Sequence, residues 1–122
     1  MTVVLDASAM LAVLADENGA RTVEEALLGH TRCSAANWSE AAQKVMSKGR
    51  SWAAARAYFS SCGLQVEPVT QADAEWAARR WRSGEGLSLA DRLCMALGER
   101  LDAQILTADR SWGSKGRITQ IR

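Results

Sequence analysis

Four carboxylates, Asp6, Glu40, Asp91 and Asp109, sit in four different parts of a 122-residue chain. Their segments are TVVLDAS, SAANWSE, LSLADRL and ILTADRSW, each a place where apolar residues give way to a helix start or a turn. If the apolar runs are neighbouring parallel strands, the four acids converge on one edge of a sheet. Hard divalent cations such as Mg²⁺ or Mn²⁺ choose carboxylate oxygens and water, and usually take one or two carboxylates per ion. Three or four acids therefore suffice for one or two ions and still place an attacking water. The chemistry such a site supports is phosphodiester hydrolysis.

Each acid also has a purely structural reading. Ser88-Leu89-Ala90-Asp91 fits a capping box, and so does Asn37-Trp38-Ser39-Glu40 with Asn as the cap. Asp6 can begin an Asx turn into a first helix, and Asp109 can cap the turn that follows it. Thr70-Gln71-Ala72-Asp73 has the same spacing on a helix with no other sign of function, an internal control. The joint pattern favours function. Asp6 and Asp109 close short, strongly apolar stretches, where an unpaired carboxylate is costly to bury.

Elimination points to the same chemistry. His30 is the single histidine, which excludes a histidine acid–base pair and a zinc site of ordinary composition. No nucleophile elbow accompanies it, and no GxxxxGK[ST] phosphate loop is present. Cys33, Cys62 and Cys94 form no CxxC pair and read as buried, reduced thiols. Hydrolysis by this chain must rest on carboxylates and metal.

The elements that would position the acids alternate. Thr2–Leu5 reads as a buried strand, followed by helices over Ser8–Leu14 and Ala20–Leu28. A short strand at Arg32–Ser34 leads into a helix from Asn37 to Lys48, and Ser51–Ser61 is Ala-rich and helical. Leu64–Val69 reads as a strand, Thr70–Trp81 as an amphipathic helix and Ser88–Leu101 as another helix. Gln104–Leu106 is a strand, and Ile118–Ile121 a last edge strand. This order predicts an α/β fold, a three-layer α/β/α sandwich on a mainly parallel sheet of four to five strands, with ligands at the carboxyl ends of the strands.

The chain length is that of one domain, 1–122, with a proper core. Apolar content of 48 % and charged content of 24 % are those of a soluble protein, and no apolar run is long enough to span a bilayer. The first residues lack the basic start of a signal peptide, so a cytoplasmic location is expected. Net charge is +1, but residues 1–30 hold five acids and one base while the remainder holds nine acids and fourteen bases. With three of those nine acids assigned to a metal site, the remaining surface is basic enough to meet phosphate.

The four acids and their flanks resemble the PIN-domain family, and specifically the VapC-type toxins of bacterial toxin–antitoxin pairs. The likeness runs through Val4-Leu5-Asp6-Ala7-Ser8-Ala9, Ser34-Ala35-Ala36-Asn37 with Glu40, Leu87-Ser88-Leu89-Ala90-Asp91-Arg92, and Leu106-Thr107-Ala108-Asp109-Arg110 with Trp112. It implies a PIN-like fold and an Mg²⁺- or Mn²⁺-dependent endoribonuclease that cuts tRNA or ribosomal RNA and stops translation. It further implies a homodimer silenced by an antitoxin protein. Carried onto these positions, Asp6 and Asp91 are the principal metal ligands, and Asp109 completes or water-bridges the coordination. Glu40 contacts a second ion or orients the attacking water, while Ser8, Asn37 and Thr107 hold the carboxylates in place. The implied reaction is in-line attack by metal-activated water, leaving a 3′-hydroxyl and a 5′-phosphate.

Arg92 and Arg110 directly follow two of these acids and are candidates to clamp RNA phosphates or the antitoxin tail; the alternative is that each pairs with a nearby acid. Trp38 and Trp112 lie near the acids and can stack on a base, although packing is the commoner use of such rings. Trp76 and Trp81 read as packing or subunit contacts. Lys44, Lys48, Arg50 and Arg56, like Arg79, Arg80 and Arg82, read either as a solvated face or as a cradle for RNA backbone. Three rival functions stand against the nuclease. A phosphoacceptor receiver domain is opposed by the lone Asp6, the acid-free Ser51–Ala55 and the misplaced Lys115. A silent PIN domain that only binds RNA or a partner is opposed by the complete acid set. Cleavage of structured DNA is opposed by the lack of insertions.

Overall fold

A computed structural model describes residues 1–122. Its strands are β1 (Thr2–Leu5), β2 (His30–Ser34), β3 (Gln65–Glu67), β4 (Gln104–Thr107) and β5 (Ile118–Gln120). Between them run α1 (Ala7–Leu14), α2 (Ala20–Leu27), α3 (Ala35–Ser47), α4 (Trp52–Ser61), α5 (Gln71–Arg80) and α6 (Leu89–Leu101), with a 3₁₀ turn at Arg110–Trp112. No helix is long and apolar enough to cross a membrane.

All four strand pairings are parallel, in the order β3-β2-β1-β4-β5. The chain steps outward from β1 to β3, then returns to the other side of β1 for β4 and β5. Right-handed crossovers therefore place α1–α4 on one face and α5–α6 on the other. Alternation along the strands follows: Leu5, Cys33 and Leu106 enter the core under α1–α4, while Val4 and Ile105 enter a smaller core with Cys94, Met95 and Leu97 of α6. Gly98 lets α6 lie close to β4, since a Cβ there would meet Ile105 Cδ1 at 2.5 Å. The order reverses between β1 and β4, the place where a parallel sheet opens a crevice at the carboxyl ends of its strands.

The expected elements are present, with shifted ends. The helix expected from Asn37 starts instead at Ala35, because Ser34 is the cap and its hydroxyl accepts from Ala36 N at 3.2 Å. Asn37 is thus a buried residue of the first turn and not a cap. The strand expected over Leu64–Val69 shrinks to three residues. Pro68 has no N–H for the ladder, and Leu64 is drawn into the main core. Cys33 and Cys94 are buried and Cys62 half-buried, all three free thiols. Burial, helped by Glu67, pushes the Cys33 thiol up to about 12.

Candidate active site

Asp6 follows β1 at the reversal point and is 4 % exposed. It caps α1, with Oδ1 accepting from Ala9 N at 2.8 Å and from the Ser8 hydroxyl at 2.7 Å. Its Oδ2 accepts from the Thr107 hydroxyl at 2.5 Å, across from the end of β4. The two hydroxyls are themselves fixed from behind. Ser8 Oγ accepts from Ala108 N at 2.8 Å, and Thr107 Oγ1 accepts from Asp109 N at 3.0 Å. Each hydroxyl has one proton and donates it to Asp6, so their 3.2 Å contact carries no hydrogen bond while Asp6 is ionised. Burial pushes the Asp6 carboxyl up to about 6, against the pull of Thr107, Ser8 and Ala9, and the charge of Asp91 adds to the rise.

Asp91 comes from the other face of the sheet. It is the third residue of α6 and closes a capping box: Asp91 N donates to Ser88 Oγ at 3.0 Å, and Ser88 N to Asp91 Oδ2 at 2.9 Å. Asn37 Nδ2 donates to the Ala90 carbonyl at 3.3 Å, tying α3 to the start of α6 and so bringing the Glu40 helix toward Asp91. Glu40 is half-buried, with Lys44 Nζ 3.6 Å from its carboxylate. Cys94 reports the same convergence. Burial raises its thiol well above the ordinary range, and Asp6, Asp91 and Glu40 all push in the same direction.

Asp109 follows β4 and caps the 3₁₀ turn. Its Oδ1 accepts from Ser111 N at 2.9 Å and Ser111 Oγ at 2.6 Å, while Gln120 Nε2 donates to its carbonyl at 2.8 Å. These two supports, Ser111 and Gln120, are not among the residues expected from the sequence. The D-x-S spacing signals Ser111; Gln120 is visible only once β5 is placed beside β4.

Asp6, Asp91 and Asp109 are all caps, Asp6 and Asp109 following the carboxyl ends of the adjacent strands β1 and β4, and Asp91 lying close enough to Asp6 to act on its charge. No Lys or Arg forms an ion pair with any of these three. No three acidic, cysteine or histidine side chains stand in a geometry that holds an ion as they are. The donor chemistry nevertheless fits a hard cation. All candidate donors are oxygens, and three donors occupy three of the roughly four acceptor positions of Asp6, leaving one on Oδ2. Asn37 Oδ1 is buried without a partner, an acceptor that a hydrated cation's water would satisfy. His30 is the first residue of β2, at the opposite end of the sheet.

Residues 3–117 match the sequence profile of the family described as the PIN domain. The chain belongs to the PIN domain family. No curated protein matches it by sequence. Among solved structures, the PIN domain resembles a toxin–antitoxin complex from Klebsiella pneumoniae, at 15 % identity over 98 % of both chains with a TM-score of 0.81. DNA-bound VapBC from Salmonella typhimurium matches at 16 % identity over 100 % of this chain and 99 % of the other, TM-score 0.74. VapC20 from Mycobacterium tuberculosis, a toxin that cleaves the sarcin–ricin loop, matches at 19 % identity over 87 % of each, TM-score 0.67. At these identities the likeness is one of fold, and it is the expected α/β fold.

The remaining candidate side chains of this PIN domain separate clearly. Arg92 is half-buried, with Nη1 donating to the Ala77 carbonyl of α5 at 2.7 Å and Nε buried without a partner. Arg110 is exposed, and its side chain makes no hydrogen bond or ion pair. Trp38 meets Trp52 edge-on at 4.8 Å and Phe59 at 5.9 Å, in the main core. Trp112 packs against the smaller core, and Trp81 is 57 % exposed.

Proposed function

We propose that this PIN domain is the metal-dependent endoribonuclease toxin of a toxin–antitoxin pair, acting on tRNA or ribosomal RNA to stop translation. One observation carries the reading. A buried carboxylate, Asp6, is held by two hydroxyls at the reversal point of the sheet, feels the charge of Asp91, and has no cation to neutralise it. Such an arrangement is electrostatically unfavourable until a positive charge arrives. The toxin–antitoxin assemblies among its structural neighbours support the partner, and the RNA-cleaving neighbour supports the substrate class.

Asp6 and Asp91 would hold Mg²⁺ or Mn²⁺, with Asp109 completing the set directly or through water. A bound divalent ion supplies Lewis acidity and charge neutralisation at the scissile phosphate. Ser8 and Thr107 fix the rotamer of Asp6, and Asn37 fixes the approach of α6. Glu40 orients the attacking water or contacts a second ion. Arg110, exposed beside Asp109, receives a substrate phosphate; Arg92 holds α5 against α6 and so positions Asp91. The antitoxin would dock at a groove of about 310 Å³ between α1, α3 and α4. Its floor is apolar, and Lys44, Lys48 and Arg50 outnumber Glu17 on its rim, a match for an amphipathic segment carrying acids. The working form would be a homodimer.

Cleavage of total cellular RNA with Mg²⁺, Mn²⁺ or EDTA tests the reading, beside Asp6→Asn. Discrete fragments that need metal and vanish in the variant are expected. A specific observation keeps a second reading in play: the acids hold no ready-made ion geometry. A PIN domain that binds RNA without cutting it would give retention of RNA and no fragments from folded, antitoxin-free protein.

A further inference from the structure

A second cleft opens on the α5–α6 side of the molecule, with a volume of about 550 Å³. That lies inside the roughly 300–1,000 Å³ range of small-ligand sites. Two indoles, Trp76 of α5 and Trp112 of the 3₁₀ turn, line the cleft together with Met95 and Ile118. Both indoles are half-buried, packed against the smaller core and bordering the cleft. Three cations, Arg80, Lys115 and Arg117, line it against one carboxylate, Glu99. Arg80 is clamped by Glu85 at 2.7 and 2.9 Å, and Arg117 spans Glu99 and Asp102 at 3.1 and 2.7 Å. Lys115 has no carboxylate partner and is exposed.

Two features mark the cleft as a receptor for a polar, planar ligand. The Trp112 indole N–H is buried with no acceptor in the protein, a state that buried indoles ordinarily avoid. A flat ring seated beside the two indoles would gain stacking, and its carbonyl or ring nitrogen would offer the missing acceptor once the Trp112 ring turns its buried N–H toward the cleft. The cleft also adjoins the candidate active site by two routes. Met95 lies one helical turn beyond Asp91 on the same side of α6. Trp112 lies three residues beyond Asp109 and donates its backbone N–H to the Asp109 carbonyl at 3.2 Å.

We infer that this cleft seats an unpaired nucleobase of the RNA next to the scissile phosphate, with Lys115 receiving that nucleotide's phosphate. Single-stranded RNA is read in this way, by aromatic faces and edge hydrogen bonds. The inference rests on the ribonuclease reading, and deepens it: the toxin would select its cleavage position by the base that fits the cleft lined by Trp76 and Trp112. A strand laid across the acids would place one phosphate there and turn the neighbouring base into the cleft.

The test uses the whole chain and the four nucleoside 5′-monophosphates, with ribose 5-phosphate as the base-free control, read from the indole N–H resonances. At least one nucleotide should shift the Trp76 and Trp112 signals and leave those of Trp38 and Trp52 in place. Trp112→Phe, which keeps an aromatic face but loses the donor, should weaken that titration on the order of tenfold. Lys115→Ala, at an exposed position, should weaken it too and raise KM for RNA cleavage with kcat little changed. The inference is overturned if no nucleotide moves those two signals, if ribose 5-phosphate moves them equally, or if both variants titrate like the wild type. It is also overturned if the two signals shift with protein concentration alone, which would mean a second copy covers the cleft. Absence of RNA cleavage by wild-type protein would sink the nuclease reading by itself, while the nucleotide titration still decides whether the cleft takes a base.

Discussion

Two helix starts in this molecule are built alike and end up in opposite electrostatic surroundings. Thr70–Asp73 opens α5 and Ser88–Asp91 opens α6, each with a complete capping box. Asp73 is 4 % exposed and gripped by Arg100, whose Nε and Nη2 reach it at 3.0 and 3.1 Å. Burial raises the Asp73 carboxyl, but Arg100 and the Thr70 backbone outweigh it and hold the group below the usual carboxylate range. Asp91 has no such cation, and its charge adds to the rise at Asp6. The local motif is therefore neutral as to function. What separates a structural aspartate from a candidate ligand is whether the fold supplies its counter-charge from within the chain or leaves that to something that binds.

The sharpest way to break this contrast is to neutralise each acid in turn. Asp91→Asn should lower RNA cleavage by about 100-fold or more, as loss of a group acting at the reacting phosphate does, while the melting curve stays close to wild type. Asp73→Asn should do the reverse. It leaves Arg100 facing a neutral group and should cost about 2–3 kcal/mol, short of a fully buried pair because the Arg100 side chain is 33 % exposed. Urea unfolding beside a cleavage assay reads both. Equal loss of activity per folded molecule in the two variants would falsify the division.

The next effect concerns the two buried acids with opposite shifts. Asp6 is raised from 3.8 to about 6. The folded state thus binds its proton more tightly than the unfolded chain, and metal-free protein should lose stability as pH rises from about 4 to 6. The full cost is roughly 3 kcal/mol for two pH units. Asp6→Asn should recover about 2 kcal/mol of this at neutral pH, because the amide keeps only part of the hydrogen bonding, and should flatten that limb of the curve. Asp73, being lowered, contributes stability above the unfolded carboxylate pKa that is lost as pH falls through its folded value. Asp73→Asn should therefore flatten the acid limb instead. Thermal melts from pH 3 to 8 with EDTA present distinguish the two limbs.

Smaller still is the contribution of the caps. Thr70→Ala and Ser88→Ala should each cost about 1 kcal/mol in denaturant unfolding, since the local geometry is shared. Unequal costs would mean that the surroundings of one box strain its cap. At the low end, Arg110→Ala should weaken RNA binding severalfold and reduce the salt dependence by about one phosphate contact, with stability unchanged. Arg92→Ala should instead lower stability by about 1 kcal/mol through the lost α5–α6 strut.

The order of strands and helices was legible because hydrophobic period and punctuation are local. Thr2–Leu5 and Gln104–Leu106 read as strands from their composition, and Gly29, Gly49 and Gly63 lie just past the ends of α2, α3 and α4. Helix α3 starts two residues before the expected Asn37, since Ser34 and Asn37 are both good caps. The hydroxyl of the earlier one took the role, and packing drew Asn37 inside. All four acids were legible both as cap residues and as candidate ligands; Asp6, Asp91 and Asp109 do cap, and Glu40 does not, because Ser34 caps α3.

The sequence by itself determined the types: four carboxylates at the ends of apolar runs, hydroxyl-bearing neighbours at Ser8 and Thr107, and the Asx and capping-box spacings that aim each acid within a turn of its own backbone. Those are contacts within three residues, decided by covalent proximity. The tertiary structure alone decided which acids share a field, that Thr107 and Ser8 converge on Asp6 from positions about a hundred residues apart, that Arg100 neutralises Asp73, and that Arg92 turns to Ala77 while Arg110 faces solvent. Two indoles lining one cleft three residues from Asp109 belong to the same class. The reason is physical: a charge's surroundings depend on which distant segments the sheet order brings beside it, and that order is set by burying both faces of the whole sheet at once.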